Sequence, residues 1–181
     1  MSDSERNVFE INQDKLALLK RVLEVHDPKE PLDLSRMQLP NADLTGRRLR
    51  RARLSGTNLA NAQLVATDLT EADLFCANLS HANLERADLT HAVLRGASAK
   101  YANLNHAILV DADCRGGYMV SAQTPSSVGV GVDVTDLSHC IADYATATRA
   151  NLSGVNLTGA SLIGANLENA LLFGAKQQGI L

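Results

Sequence analysis

From Leu34 to Leu94 a leucine stands at every fifth position, through Leu39, Leu44, Leu49, Leu54, Leu59, Leu64, Leu69, Leu74, Leu79, Leu84 and Leu89. Small residues recur two places earlier, at Ala42, Ala52, Ala62, Ala72, Ala77, Ala82, Ala87 and Ala92. The unit reads A-(D/N)-L-x-x, as in Ala72-Asp73-Leu74 and Ala77-Asn78-Leu79, and it returns in a shifted frame at Ala150-Asn151-Leu152, Val155-Asn156-Leu157 and Ala165-Asn166-Leu167. A helix would rotate successive leucines by about 140° and scatter them round its axis, and a straight strand would send them to alternate faces. The chain must therefore turn once in five residues. Within a unit the alanine and leucine sit two apart, on one side of a short extended segment, so a coil of such segments buries both and exposes the rest.

This sequence resembles the pentapeptide-repeat proteins over about residues 32 to 178. The resemblance implies an all-β solenoid, a right-handed quadrilateral β-helix with four pentapeptides, or about twenty residues, to a coil. Centres from Leu34 to Thr124 give nineteen units and centres from Val132 to Gln177 give ten, so the expectation is about seven coils. At about 4.8 Å per coil the rod is roughly 34 Å long. The frame slips by three residues within 125–131 (Pro125 to Gly131), which predicts a corner insertion or small loop there.

Ahead of the repeats, residues 1–31 form a segment of different pattern. Asn12 is placed to cap a helix over Asp14–His26, whose Leu16, Leu18, Leu19, Val22, Leu23 and Val25 make an apolar face before Asp27-Pro28 ends it. An N-terminal α-helical cap would cover the open core and strand edge of the first coil. Residues 179–181 form a short C-terminal tail.

Composition sharpens the picture. Aromatics are 3% of the 181 residues and Trp is absent, so leucine and alanine must fill the interior. There is no apolar stretch of membrane-spanning length and no signal-peptide pattern at Met1-Ser2-Asp3-Ser4-Glu5, which gives a cytoplasmic expectation without membrane contact. Cys76, Cys114 and Cys140 are too widely spaced for a disulfide framework or structural zinc; Cys76 is expected outward, Cys114 and Cys140 in the core.

Stacking residues twenty apart converts the sequence into a surface. Arg48 falls over Asp68, Arg51 over Glu71, and Arg53 between Asp33 and Asp73, so the run from Arg47 to Arg53 meets acids of adjacent coils rather than nucleic acid, whose direct binding is not expected. Arg47 occupies an inward slot, from which a corner must let its head escape. Gln63, Asn83, Asn103 and Gln123 line up as an amide ladder. His81, His91, His106 and His139 fall on four different sides of that register, so the reading has no catalytic residues, no metal site and no cofactor.

One side, centred on Leu39, Leu59, Leu79, Ala99, Met119, Ala142 and Leu162, departs from the rule. Inside it, Met119 would fill space left by two alanines; outside it gathers Tyr101, Tyr118, Val120, Ile141, Tyr144 and Ile163. These six are candidate partner contacts, the alternative being tyrosines packed beneath the loop as a lid. Leu171, Phe173, Ile180 and Leu181 at the far end are candidate contacts of a tail-to-tail homodimer.

Two functions follow. The first is a non-catalytic interaction or scaffold module with a protein partner. The alternative comes from the resemblance: a topoisomerase-interacting branch imitates DNA and protects DNA gyrase from quinolones. Residues 32–53 carry six Arg against two Asp, and residues 54–181 carry six basic against eleven acidic residues, leaving the repeats at only −1. That is little charge for a mimic of a polyanion.

Overall fold

The computed structural model describes residues 30–118 and 132–181, so the expected capping helix with Asn12, and Met119, Val120, Gln123 and 125–131, lie outside the described residues. Parallel bridges connect residues twenty apart at every fifth position, as Asp33 to Arg53, Gln38 to Asn58, Asp43 to Gln63 and Arg48 to Asp68. Four sides therefore make one coil. Side 1 is centred on Leu34, Leu54, Leu74, Leu94, Cys114, Leu152 and Leu172. Side 2 is centred on Leu39, Leu59, Leu79, Ala99, Leu137, Leu157 and Gln177. Side 3 carries Leu44, Leu64, Leu84, Leu104, Ala142 and Leu162, and side 4 carries Leu49, Leu69, Leu89, Leu109, Ala147 and Leu167. The leucines from Leu39 to Leu89 are at most 1% exposed, and each contributes about 2 kcal/mol of apolar burial.

Local hydrogen bonds explain the unit. The amide just past the central leucine would be orphaned by the corner, and where an Asp or Asn precedes the leucine its side chain accepts it: Ser35 N donates to Asp33 Oδ1 at 3.0 Å, Phe75 N to Asp73 Oδ1 at 3.0 Å, Thr90 N to Asp88 Oδ1 at 2.9 Å. A second bond closes the corner, as from Ala77 N to Leu74 O at 3.0 Å. Such a turn requires positive φ at its third residue, and there the chain places Asn61, Glu71, His81, Tyr101, Tyr144 and eleven other non-glycine residues with φ between 53° and 60°, besides Cys76. Each costs on the order of 1 kcal/mol relative to glycine. Buried Thr57 and Thr67 take alanine slots and donate to Leu34 O and Leu44 O, which links adjacent coils.

The frame slip is larger than the three residues read from the pattern. Ser98 pairs with Asp136, Asn103 with Ile141 and Ile108 with Thr146, 38 residues apart instead of twenty, so eighteen extra residues leave the coil after Arg115. Their base is an antiparallel ribbon of β1 (Gly117–Tyr118) and β2 (Val132–Asp133). Thr135 anchors the re-entry: its hydroxyl accepts from Gly96 N at 2.8 Å and lies 2.8 Å from Arg115 O. The units centred on residues 119, 124 and 132 are thus absent from the coil. Seventeen units from Leu34 to Cys114 and nine from Leu137 to Gln177 remain, about six and a half coils.

Two departures from close packing follow. Ala142 and Ala147 occupy central slots in the re-entering coil and leave a void of about 30 Å³, lined by apolar groups including Leu104, Leu109, Leu152 and Leu162. In the coil from 162 to 181, Leu162, Leu167 and Leu172 are only partly buried, whereas Leu34, Leu39, Leu44 and Leu49 of the first coil are buried.

Candidate functional site

The eighteen-residue excursion reassigns the side on which candidate contacts lie. Ala142 follows Leu104 on side 3, and Leu137 follows Ala99 on side 2, so the single anomalous side of the sequence reading does not exist. Tyr118 sits in the ribbon strand β1, where it pairs with Val132, and Val120 lies outside the described residues. The other four candidates converge nonetheless. Tyr101 ends side 2 at its corner with side 3, Ile141 and Ile163 point outward from side 3, and Tyr144 stands at the corner of side 3 with side 4. Leu181 continues the same outward row, because its amide donates to Ala160 O and its carbonyl accepts from Leu162 N. Exposures of 48% for Tyr101, 46% for Ile141, 59% for Tyr144, 52% for Ile163 and 77% for Leu181 put five of the nine large exposed hydrophobics among the described residues on or beside this one face.

Rings stack along both corners that bound the face. His81, Tyr101 and His139 form one pile, with centroids 5.0 and 5.1 Å apart and planes within 18°. His106 and Tyr144 form the other, at 5.3 Å and 12°. This corrects the expectation that the histidines occupy four sides: His81 and His139 share a corner, one on each face of Tyr101. Each pile ends against a glycine. A Cβ on Gly159 would lie 2.5 Å from His139 Nδ1 and one on Gly164 2.8 Å from the Tyr144 ring, so only glycine leaves room for the rings to lie flat. Lys100 Nζ stands 5.2 Å from the centre of the Tyr101 ring.

Polar groups on the face are engaged with one another. Asn103 donates to Asn83 at 3.0 Å and Asn83 to Gln63 at 3.2 Å, so the amide ladder holds over three coils; its expected fourth member, Gln123, is replaced in the row by Ile141. A second ladder, Asn78 to Asn58 to Gln38, runs on side 2 and escaped the sequence reading. Asp143 Oδ1 accepts from Ser161 Oγ and from Ile163 N at 3.0 Å, while Asn105 Oδ1 accepts from Asp143 N.

Elsewhere the surface is an ion-pair lattice. Arg51 and Arg50 donate to Glu71 at 2.7 and 2.5 Å and hold its carboxyl down to about 2, the Arg51 bond being the larger cause. Arg149 grips Asp111 through two bonds at 2.8 and 2.7 Å and lowers its pKa, with His91 4.0 Å away. Arg53 lies 3.7 Å from Asp33, and Arg47 turns outward and is exposed. Cys114 and Cys140 are buried, which pushes both thiols up to about 12 and keeps them in the unreactive thiol form. Cys76 is half-buried at a corner. Among the described residues no three of His, Cys, Asp and Glu gather as a metal ion would require. Leu171 and Phe173 point outward from side 1, opposite side 3, Ile180 packs partly against the core, and Leu181 belongs to the side 3 row, so the four candidate dimer contacts do not share a face.

Comparison with known proteins accords with this geometry. The family model of pentapeptide repeats matches residues 38–74, 77–116, 135–169 and 150–176 in eight copies, and the stretch it leaves unmatched between 116 and 135 is where the chain leaves the coil. Among solved structures, HetL, a pentapeptide repeat protein involved in heterocyst differentiation regulation from the cyanobacterium Nostoc sp. strain PCC 7120, is 31% identical over 83% of this chain and 72% of its own, with a TM-score of 0.43. Rfr23 from the cyanobacterium Cyanothece 51142 is 24% identical over 83% of this chain and 87% of its own, with a TM-score of 0.36. Full-length QnrB1, a plasmid-mediated fluoroquinolone resistance protein, is 21% identical over 83% of this chain and 91% of its own, with a TM-score of 0.33. No curated protein matches the chain.

Proposed function

The chain belongs to the pentapeptide-repeat family, a repeat fold that is generally non-catalytic, and on that premise we propose that it is a protein-interaction module whose docking surface is side 3 between the coils of Tyr101 and Leu181. The observation that carries this reading is the concentration of Tyr101, Ile141, Tyr144, Ile163 and Leu181 about one face of a rod whose other faces are mainly polar or ion-paired. The rings are held by their stacks, so little side-chain freedom is lost when a partner covers them. The test compares the proteins retained from native cytosol by the wild type, by Ile141→Asp with Ile163→Asp, and by Ile108→Asp on side 4. A protein retained by the first and third and lost by the second supports the reading; identical retention by all three refutes it.

A homodimer through the coil from 162 to 181 is a second, separable proposal. It is supported by the partial exposure of Leu162, Leu167 and Leu172 and by Phe173, which is 90% exposed. The DNA-mimic alternative has no comparable support, because the likeness to QnrB1 extends to the fold alone.

A further inference from the structure

The coil that re-enters after the excursion is underfilled on two adjacent sides. Sides 3 and 4 carry leucine at their centres in the coils before it, as Leu84 with Leu89 and Leu104 with Leu109, and again in the last coil, as Leu162 with Leu167. Ala142 and Ala147 stand between those pairs, each three carbons shorter than leucine, and the space they leave persists as the void of about 30 Å³. Its walls show the same gap: Leu104, Leu109, Ala142 and Ala147 keep 3–6% of their surface exposed, whereas the leucines from Leu39 to Leu89 keep at most 1%.

The lining decides what this space can hold. Every residue around it is a leucine, an alanine or Cys140, and no hydroxyl, amide or charged side chain is among them. A water molecule there would lack the two to four polar partners that retain water in a protein interior, so the void favours an apolar guest. Cys140 takes the slot that alanine holds at Ala82, Ala102 and Ala160, and it is buried. Burial keeps its sulfur on the wall as a neutral, polarisable thiol. Size sets the other limit. An apolar cavity of about 150 Å³ accepts benzene, whereas about 30 Å³ is the share of a single molecule in liquid water. The guest is thereby restricted to a single atom or a molecule of about two heavy atoms.

We propose that this void is a binding site for a small apolar gas molecule, uncharged and without hydrogen-bonding groups, of the size of dioxygen or a xenon atom. Dispersion contacts with walls on every side supply the attraction, and the lining offers no polar group whose bonds to water the guest must break. Leu162 and Leu167 line the void and are only partly buried in the final coil, so the guest enters from that end of the rod when one of these side chains changes rotamer. The site lies inside the coil and therefore stands or falls independently of whether side 3 docks a partner.

The test follows the methyl resonances of the full chain by nuclear magnetic resonance under rising pressure of xenon and, separately, of dioxygen. The result expected with xenon is a saturable shift of the methyls of Leu104, Leu109, Leu152 and Ala142, while those of Leu59 and Leu64, which are buried but do not line the void, stay in place. Dioxygen is paramagnetic and should broaden the same lining methyls beyond any broadening at Leu59 and Leu64. Both responses should be lost in Ala142→Leu. Ala147→Leu, which fills the void from side 4, gives the same reading should the first variant fail to fold. Benzene at saturation should move none of these signals. A missing response to either gas, an equal response across all the buried leucines, a response that survives in a folded filled variant, or an equal response to benzene would each overturn the site. A nuclear Overhauser contact between water and the lining methyls in the gas-free protein would overturn it as well, by showing that the void is hydrated.

Discussion

Ala142→Leu should stabilise the protein. Ala142 occupies a central slot of side 3, between Leu104 and Leu162, where other coils carry leucine, and it borders the apolar void of about 30 Å³. Removing a void of that size is worth about 0.7 kcal/mol at ~24 cal/mol per Å³. The three added carbons, if fully buried, set an upper bound of about 2.4 kcal/mol at ~0.8 kcal/mol each. A gain of about 1–2 kcal/mol lies between these limits and raises the melting temperature of a chain this long by roughly 2–8 °C. Ala82→Leu is the contrasting control. Ala82 is 1% exposed in the narrow slot two places before a leucine and is not among the residues lining that void, so overpacking should cost about 1–3 kcal/mol. The assay is a reversible thermal melt followed by circular dichroism, with both variants at equal concentration. A fall in melting temperature for Ala142→Leu comparable to that for Ala82→Leu would refute the underfilled coil, and with it the register in which residue 142 follows residue 104.

Leu84→Lys places an ammonium at a fully buried position without a partner and should abolish soluble folding, whereas Glu85→Lys, one residue along and facing outward, loses only the Arg86 contact and should melt within a few degrees of wild type. Equal tolerance of the two in soluble yield would contradict the five-residue phase. Tyr101→Ser with Tyr144→Ser should lower the melting temperature by only a few degrees, since both rings are about half exposed; a drop beyond 15 °C would mark them as a lid rather than a contact surface. In a supercoiling assay with a quinolone the purified protein should leave DNA gyrase unprotected, and rescue at low micromolar concentration would reverse the charge argument. Light scattering at tens of micromolar should find twice the 19.3 kDa chain mass, falling to the single-chain mass on Phe173→Asp with Leu172→Asp; a single-chain mass for the wild type would exclude the dimer.

The coil was legible because one substitution class recurs at one period. Leucine at every fifth position fixed the buried columns, and pairs such as Arg51 with Glu71 followed from adding twenty to a residue number. The excursion was not legible in length. Eighteen residues are three units and three residues over, so they shift the five-residue phase by the same amount as a slip of three, and the pattern after re-entry is identical in either case. This is why the five-residue pattern alone puts Ile141 and Tyr144 on side 2 and separates His81 from His139. Only pairing between coils distinguishes the two. The role of an Asp or Asn before the leucine is visible only once hydrogen bonds are followed: the outward residue closes its own turn.

The eighteen-residue excursion has a consequence for how such a molecule can be rebuilt. Because the chain comes back onto the ladder in register, Ser98 with Asp136 in place of a residue twenty along, deleting residues 116–133 would splice Arg115 to Val134 and restore an unbroken twenty-residue period. The rod thus behaves as a spool from which a length of thread can be paid out between two windings without disturbing those on either side. A foreign segment grafted at that junction would be presented at a fixed height and corner, with the same windings on either side of it as before.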